Sequence, residues 1–280
     1  MIIDIHAHPL TKEVLELPGT KELFQPYETV FHRETKPISL EQMIEGMDKA
    51  RVAKTVLCSI NMETMMMDGL EGYKVPNEII AKAVSQYPDR FIGFACVDPR
   101  KGYLAIKELE LAVRELGLVG LGELLPSNIE LYPNDKLMYP LYEKVLELDI
   151  PIIVHSGQIF DPGTKLKYSN PIFVDDVARD FPSLKLIVAH FGWPWMEETI
   201  AVVQRNPNVY FDISGWAPRH LPKLLLDYMD GPLSDKALFG TDFPLISWER
   251  AVSELKDLPL KESTKEKVLG ENAKRLLNLT

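Results

Sequence analysis

Eight short, nearly continuous apolar runs, each leading into a longer amphipathic segment, constrain the fold of this chain more than any other feature. The runs are Ile2–His8, Thr55–Ile60, Phe91–Val97, Val119–Leu124, Ile152–His155, Leu186–His190, Val209–Ile213 and Ala237–Gly240. Helical periodicity covers Leu40–Ala50, Asn77–Gln86, Tyr103–Leu116, Leu137–Leu148, Pro171–Phe181, Trp195–Arg205, Pro218–Tyr228 and Ser247–Leu255, and a ninth stretch spans Ser263–Leu277. Ser39 before Leu40, with Gln42 three residues on, reads as a capping box. Strands that are apolar along their whole length are buried on both faces, so the pattern predicts a parallel sheet covered by helices. Eight such units in 280 residues fit an α/β fold of the (β/α)8 TIM-barrel type. An open doubly wound sheet is the alternative, but no Gly-x-Gly-x-x-Gly follows the first run. Without a linker, low-complexity tract or internal repeat, residues 1–280 read as a single domain.

The barrel gives the histidines their meaning, because chemistry in such barrels sits at the C-terminal ends of the strands. Asp4-Ile5-His6-Ala7-His8 closes the first run with two imidazoles at alternate positions, which share one face of a strand. His155 ends the fifth run in Val154-His155-Ser156-Gly157, and His190 ends the sixth in Ala189-His190-Phe191-Gly192. Asp242 follows the eighth in Gly240-Thr241-Asp242-Phe243-Pro244, and Glu123 lies near the end of the fourth. Imidazoles with a carboxylate make a donor set for a divalent transition metal, zinc before manganese. The segments after the strands, Pro9–Pro37, Asn61–Pro76, Leu125–Lys136 and Gly157–Asn170, are long and are read as loops. Loops of this length are uncommon unless they serve as lids or binding segments.

These strings together resemble the amidohydrolase superfamily, in particular its amidohydrolase-related branch of metal-dependent hydrolases and aminocarboxymuconate-semialdehyde-decarboxylase-like decarboxylases. The resemblance spans the whole chain and implies an amidohydrolase-like barrel. It implies His6, His8, His155 and Asp242 as metal ligands, with one zinc or manganese ion favoured over two. Asp242 and His190 are implied as catalytic groups: Asp242 accepts a proton, and His190 serves as acid/base or electrophilic assistant. The activity expected is hydrolysis of a small amide, lactone or ester by metal-activated water. The alternative is non-oxidative decarboxylation of an aromatic or unsaturated acid, and a non-catalytic metal-binding scaffold is a distant third. Glu123 is left with three readings: bridging a second metal with His190, hydrogen-bonding a group at the metal, or serving as a structural acid.

Other residues carry weaker signals. Asp4 is placed on the face of His6, as an orienting or structural acid. Trp193, Trp195 and Trp216 are candidates for an aromatic wall, and Arg219, Arg100, Arg33 and Lys165 for binding an anionic substrate. His32 and His220 read as exposed. Met62, Met65, Met66 and Met67 suit a lid or dimer interface, since methionine packs adaptably. Cys58 and Cys96 read as core thiols of a reducing compartment. A net charge of −10 without a basic stripe argues against a nucleic-acid partner. No apolar run reaches membrane-spanning length, and the chain opens directly on a strand, so a cytoplasmic location is expected. A small-molecule substrate and a possible homo-oligomer complete the expectations.

Overall fold

A computed structural model describes residues 1–32, 34–67, 70–159 and 163–279. The strands are β1 (Ile2–Ala7), β2 (Val52–Cys58), β3 (Asn61–Met67), β4 (Leu70–Lys74), β5 (Phe91–Phe94), β6 (Leu121–Leu124), β7 (Ile152–Val154), β8 (Leu186–Val188), β9 (Val209–Asp212) and β10 (Ala237–Leu238). Eight of them are parallel, in the orders β1-β2-β5 and β10-β9-β8-β7-β6. Two seams close them into a barrel. Between β5 and β6, Ala95 N–H donates to Gly120 C=O at 2.9 Å and Gly122 N–H to Ala95 C=O at 2.7 Å. Between β10 and β1, Ile5 N–H donates to Phe239 C=O and Asp242 N–H to His6 C=O, at 2.9 and 2.8 Å.

The lumen is filled by Ile3, Ile5, Val56, Ile92, Phe94, Ile153, Ile187 and Leu238, and a larger apolar layer lies between strands and helices. Helices of amphipathic sequence cover the outside, with the Ser39/Gln42 capping box formed as expected at 40–50. No helix among the described residues is long and apolar enough to cross a membrane.

Three expectations need correction. The segment 61–76 is not structureless: β3 and β4 pair as an antiparallel hairpin, with Met62 and Met65 buried beneath it. The side chains of Met66 and Met67, and all of Arg33, lie outside the described residues. Likewise 9–37 contains helices over Lys12–Leu15 and Thr20–Phe31, and the Thr20 hydroxyl joins Val14 C=O and the Tyr73 hydroxyl at 3.0 and 3.4 Å. Asp4 does not share the face of His6. The register of β1 against β2 shifts between Asp4 and Ala7, and Asp4 accepts from Thr241 N–H, Thr241 Oγ1, His6 N–H and Trp248 Nε1. It ties the closing seam to the outer helix 248–256. Burial pushes its pKa up to about 6 against the opposing effect of these donors.

Candidate active site and metal centre

The strand ends deliver four imidazoles and two carboxylates to one floor at the barrel mouth, with Asp242 at its edge. His6 Nδ1 lies 3.0 Å from Asp212 Oδ2, and His8 Nδ1 lies 3.2 Å from the Cys58 carbonyl oxygen. An oxygen acceptor opposite each Nδ1 makes that nitrogen an N–H donor, so a ring that gives up its other proton to a metal presents its lone pair on Nε2. The two Nε2 atoms then face each other at 3.3 Å. Two converging lone pairs at that separation repel unless a cation or proton stands between them. The donor set therefore fits a divalent metal ion.

Glu123 lies at the centre, next to Gly122, whose φ of +148° and 2.8 Å approach to Ile153 Cβ leave no room for a side chain. Its Oε2 is 3.5 and 3.6 Å from Nε2 of His6 and His8. Its Oε1 is 2.8 Å from His155 Nδ1 and 3.1 Å from His190 Nε2. His155 Nε2 is buried without a hydrogen-bond partner. Among the described residues, three groups bring ligand atoms within 4.8 Å of one another: His6, His8 and Glu123; Glu123, His155 and His190; and His6, His190 and Asp212. Asp242 Oδ1 stands 3.5 Å from His8 Nε2. The expected ligands thus share one floor, with Glu123 interposed between the His6/His8 pair and His155.

Charge follows this geometry. Burial would raise the Glu123 pKa, but the charges of His6 and His155 hold it well below the usual carboxylate range. Burial would lower that of His190, but the hydrogen bond and charge of Glu123 raise it to about 9. The Cys58 and Cys96 thiols are pushed up by burial and remain core groups. His190 and Asp242 both occupy left-handed backbone, at φ 55° and 54°. Such conformations in non-glycine residues cost energy and cluster at functional sites.

Above the floor opens a cavity of about 430 Å³ that His8, Glu123, His155, His190 and Asp242 reach from below. Its walls include Leu10, Phe24, Ile60, Met62, Leu125 and Ile159, while Glu34, Lys36 and Arg250 also line it. Lys36 is paired with Glu34, and Arg250 with Glu254. The residues expected to bind substrate are placed elsewhere. Trp193 and Trp216 pack against each other with ring centroids 4.8 Å apart, and neither lines the cavity. Arg219 pairs with Glu254 at 3.6 Å, Arg100 donates to Ile129 C=O, and Lys165 pairs with Glu130. His32 and His220 are exposed as expected.

Sequence reasoning passed over Asp212 and Ser214, both fully buried at the end of β9. The signal was present: two polar residues at the C-terminal end of an otherwise apolar barrel strand stand level with the histidines of its neighbours.

Comparison with known proteins agrees with this geometry. The family described as amidohydrolase matches residues 3–279. Gamma-resorcylate decarboxylase of Polaromonas sp. (strain JS666) is 26% identical over 247 residues, 72% of this chain and 75% of that protein. A 2-keto-4-carboxy-3-hexenedioate hydratase of Sphingobium sp. is 29% identical over 205 residues, 59% of this chain and 56% of its own length. Among solved structures, an uncharacterized TIM-barrel protein of Bordetella bronchiseptica superposes with TM-score 0.81 at 26% identity, covering 99% of this chain and 98% of its own. A dihydroxybenzoic acid decarboxylase of Polaromonas sp. JS666, with bound manganese and the inhibitor 2-nitroresorcinol, superposes with TM-score 0.72 at 21% identity, covering 99% and 97%. By a family match that runs nearly end to end over a closed barrel with this floor, the chain belongs to the amidohydrolase family and is an enzyme of that superfamily.

Proposed function

We propose that this enzyme is a metal-dependent, non-oxidative decarboxylase of a small aromatic carboxylic acid. The observation that carries the reading is the pairing of a charged floor, where Nε2 lone pairs converge, with an apolar cavity of about 430 Å³ above it. A planar acid can set its carboxylate on that floor and its ring against Leu10, Phe24, Ile60 and Met62. Hydrolysis, the first expectation from sequence, gives way to its alternative because the relatives are decarboxylases and a hydratase.

His6, His8, His155 and Asp242 hold one zinc or manganese ion in this reading. A divalent cation there supplies positive charge for a substrate carboxylate and acidifies water. The remaining chemistry belongs to the chain. The bond between ring carbon and carboxylate breaks, carbon dioxide leaves neutral, and the electron pair stays with the ring. Asp242 takes a proton from solvent and passes it to the vacated position, ending as the carboxylate it began as. His190, held cationic by Glu123, stands ready to stabilise negative charge that develops during the exchange.

A second reading of the metal is favoured by one observation, the split of the Glu123 oxygens between two imidazole pairs. That arrangement suits two ions with Glu123 between them. Metal analysis of purified protein separates the two. About one equivalent, lost in His6→Ala, supports the single ion; two, with one lost in Glu123→Ala, support the bridged pair. The activity is tested with a panel of hydroxylated benzoates, lactones and unsaturated acids offered to the same preparation. Carbon dioxide release from the benzoates is expected, and lactone opening or water addition without it would displace the decarboxylase reading.

A further inference from the structure

We propose that Asp212 is a positioning residue that sets the tautomer of His6 and, together with the Ser214 hydroxyl, the orientation of His190. One buried carboxylate would thereby govern both the grip on the metal and the group beside the reacting carbon. The inference rests on His6 being a metal ligand, as in the function proposed above.

The hydrogen-bond inventory leaves little freedom. Asp212 is completely buried, so water cannot replace its contacts. Its Oδ2 faces His6 Nδ1 at 3.0 Å. Its Oδ1 accepts from His190 N–H at 2.9 Å, Ser214 N–H at 3.0 Å and Ser214 Oγ at 2.5 Å. A serine hydroxyl has a single proton, and Ser214 spends it on Asp212. Its oxygen then accepts from the ring N–H of His6 at 3.2 Å and of His190 at 2.9 Å. The Ser214 carbonyl oxygen lies 3.1 Å from the same His190 nitrogen. Both rings are therefore fixed with Nδ1 protonated, and each turns Nε2 towards the centre of the floor. The bond to His190 N–H also holds that residue in its left-handed backbone, φ 55°.

Replacing Asp212 by asparagine inverts one of these contacts. Three donors meet at Oδ1, so the amide oxygen occupies that position and the NH2 group faces His6 Nδ1. A donor there requires Nδ1 to accept, which places the ring proton on Nε2 and aims it at the metal position. Partners that orient ligand histidines typically contribute about 10–100-fold to metal affinity, and a loss in that range is expected for Asp212→Asn. Ser214→Ala leaves the Asp212–His6 bond in place but removes a second acceptor for His6 Nδ1, so a smaller loss of zinc affinity than in Asp212→Asn is expected.

Two readouts apply. Zinc affinity of the wild type and both variants is measured by competition with a chromophoric chelator. Histidine tautomers are read by long-range 15N–1H NMR on metal-free protein, with the pH raised until the ring nitrogens report the neutral form. The wild type should show His6 protonated at Nδ1, and Asp212→Asn should show it at Nε2. A variant that keeps the Nδ1–H tautomer and wild-type zinc affinity overturns the inference. So does a wild type with His6 protonated at Nε2, which decides the matter even if Asp212→Asn fails to fold. If the tautomer shifts as expected but the wild type binds no metal, the positioning role stands and the metal reading falls.

Discussion

Glu123→Gln tests the electrostatics of the floor most sharply, because a single carboxylate there serves four imidazoles. Burial of His190 opposes its positive charge, while the hydrogen bond and charge of Glu123, with a smaller contribution from Asp242, raise its pKa from 6.5 to about 9. At about 1.4 kcal/mol per unit, the interval corresponds to about 3 kcal/mol of preference for the imidazolium. Glutamine keeps the shape and removes the charge, so burial is left largely unopposed. The His190 pKa should then fall to 6.5 or below. The assay is an NMR pH titration of the histidine Cε1–H resonances in metal-free protein, with His190 assigned by its loss in His190→Asn. Stability follows the same linkage. A folded-state pKa above the unfolded one stabilises fully below about pH 6.5, and the contribution is lost as pH rises through about 9. The wild type should therefore lose thermal stability across that window, and Glu123→Gln should show a shallower slope, with the support that Asp212 gives His6 still in place. A variant in which His190 still titrates near pH 9 would refute the assignment of its charge to Glu123.

Asp242→Asn should retain most of the metal, because size and one oxygen are preserved, yet lose about 10²–10⁴-fold in turnover on the authentic substrate as its proton transfer disappears; metal analysis beside steady-state kinetics reads both. Asp4→Asn should lower unfolding free energy by about 1–3 kcal/mol, since an NH2 group would face donors that now meet a buried carboxylate; denaturant titration with an unchanged slope checks it, and wild-type stability would contradict the role given to the seam. Gly215→Ala should cut turnover at least tenfold, because φ is +74° and the added Cβ would stand 2.9 Å from His190 Nδ1; kinetics indistinguishable from wild type would show that His190 has room to move.

The barrel was legible because fully buried strands and amphipathic helices leave opposite periodicities, and helices such as Leu40–Ala50 and Asn77–Gln86 appear at the expected bounds. The histidines were legible because the C-terminal ends of parallel barrel strands all open on one mouth. What escaped depends on contacts across the chain. The β3–β4 pair lies in a methionine-rich run read as a loop, because consecutive apolar residues blur the two-residue period of a strand. Asp4 was misplaced because a register shift in β1, invisible to a strict two-residue period, turns it to the outer layer. Asp212 and Ser214 draw their importance from His6 and His190, residues 206 and 24 positions away. Trp193, Trp216 and Arg219 were nominated by nearness in sequence to strand ends. In the fold the two tryptophans pack on each other and Arg219 pairs with Glu254, and none of the three lines the cavity.

The central claim concerns which bond breaks, and isotopes report that directly. Metal-loaded enzyme is incubated in D2O with ortho-hydroxylated benzoates labelled with 13C in the carboxyl group, with and without a chelator. The account predicts labelled carbon dioxide together with a phenol carrying one deuterium at the vacated carbon, both abolished by removing the metal. Substrate recovered across the panel with its 13C carboxyl intact and no deuterium on the ring, alongside lactones opened by the same preparation, would contradict it and return the floor to hydrolytic chemistry.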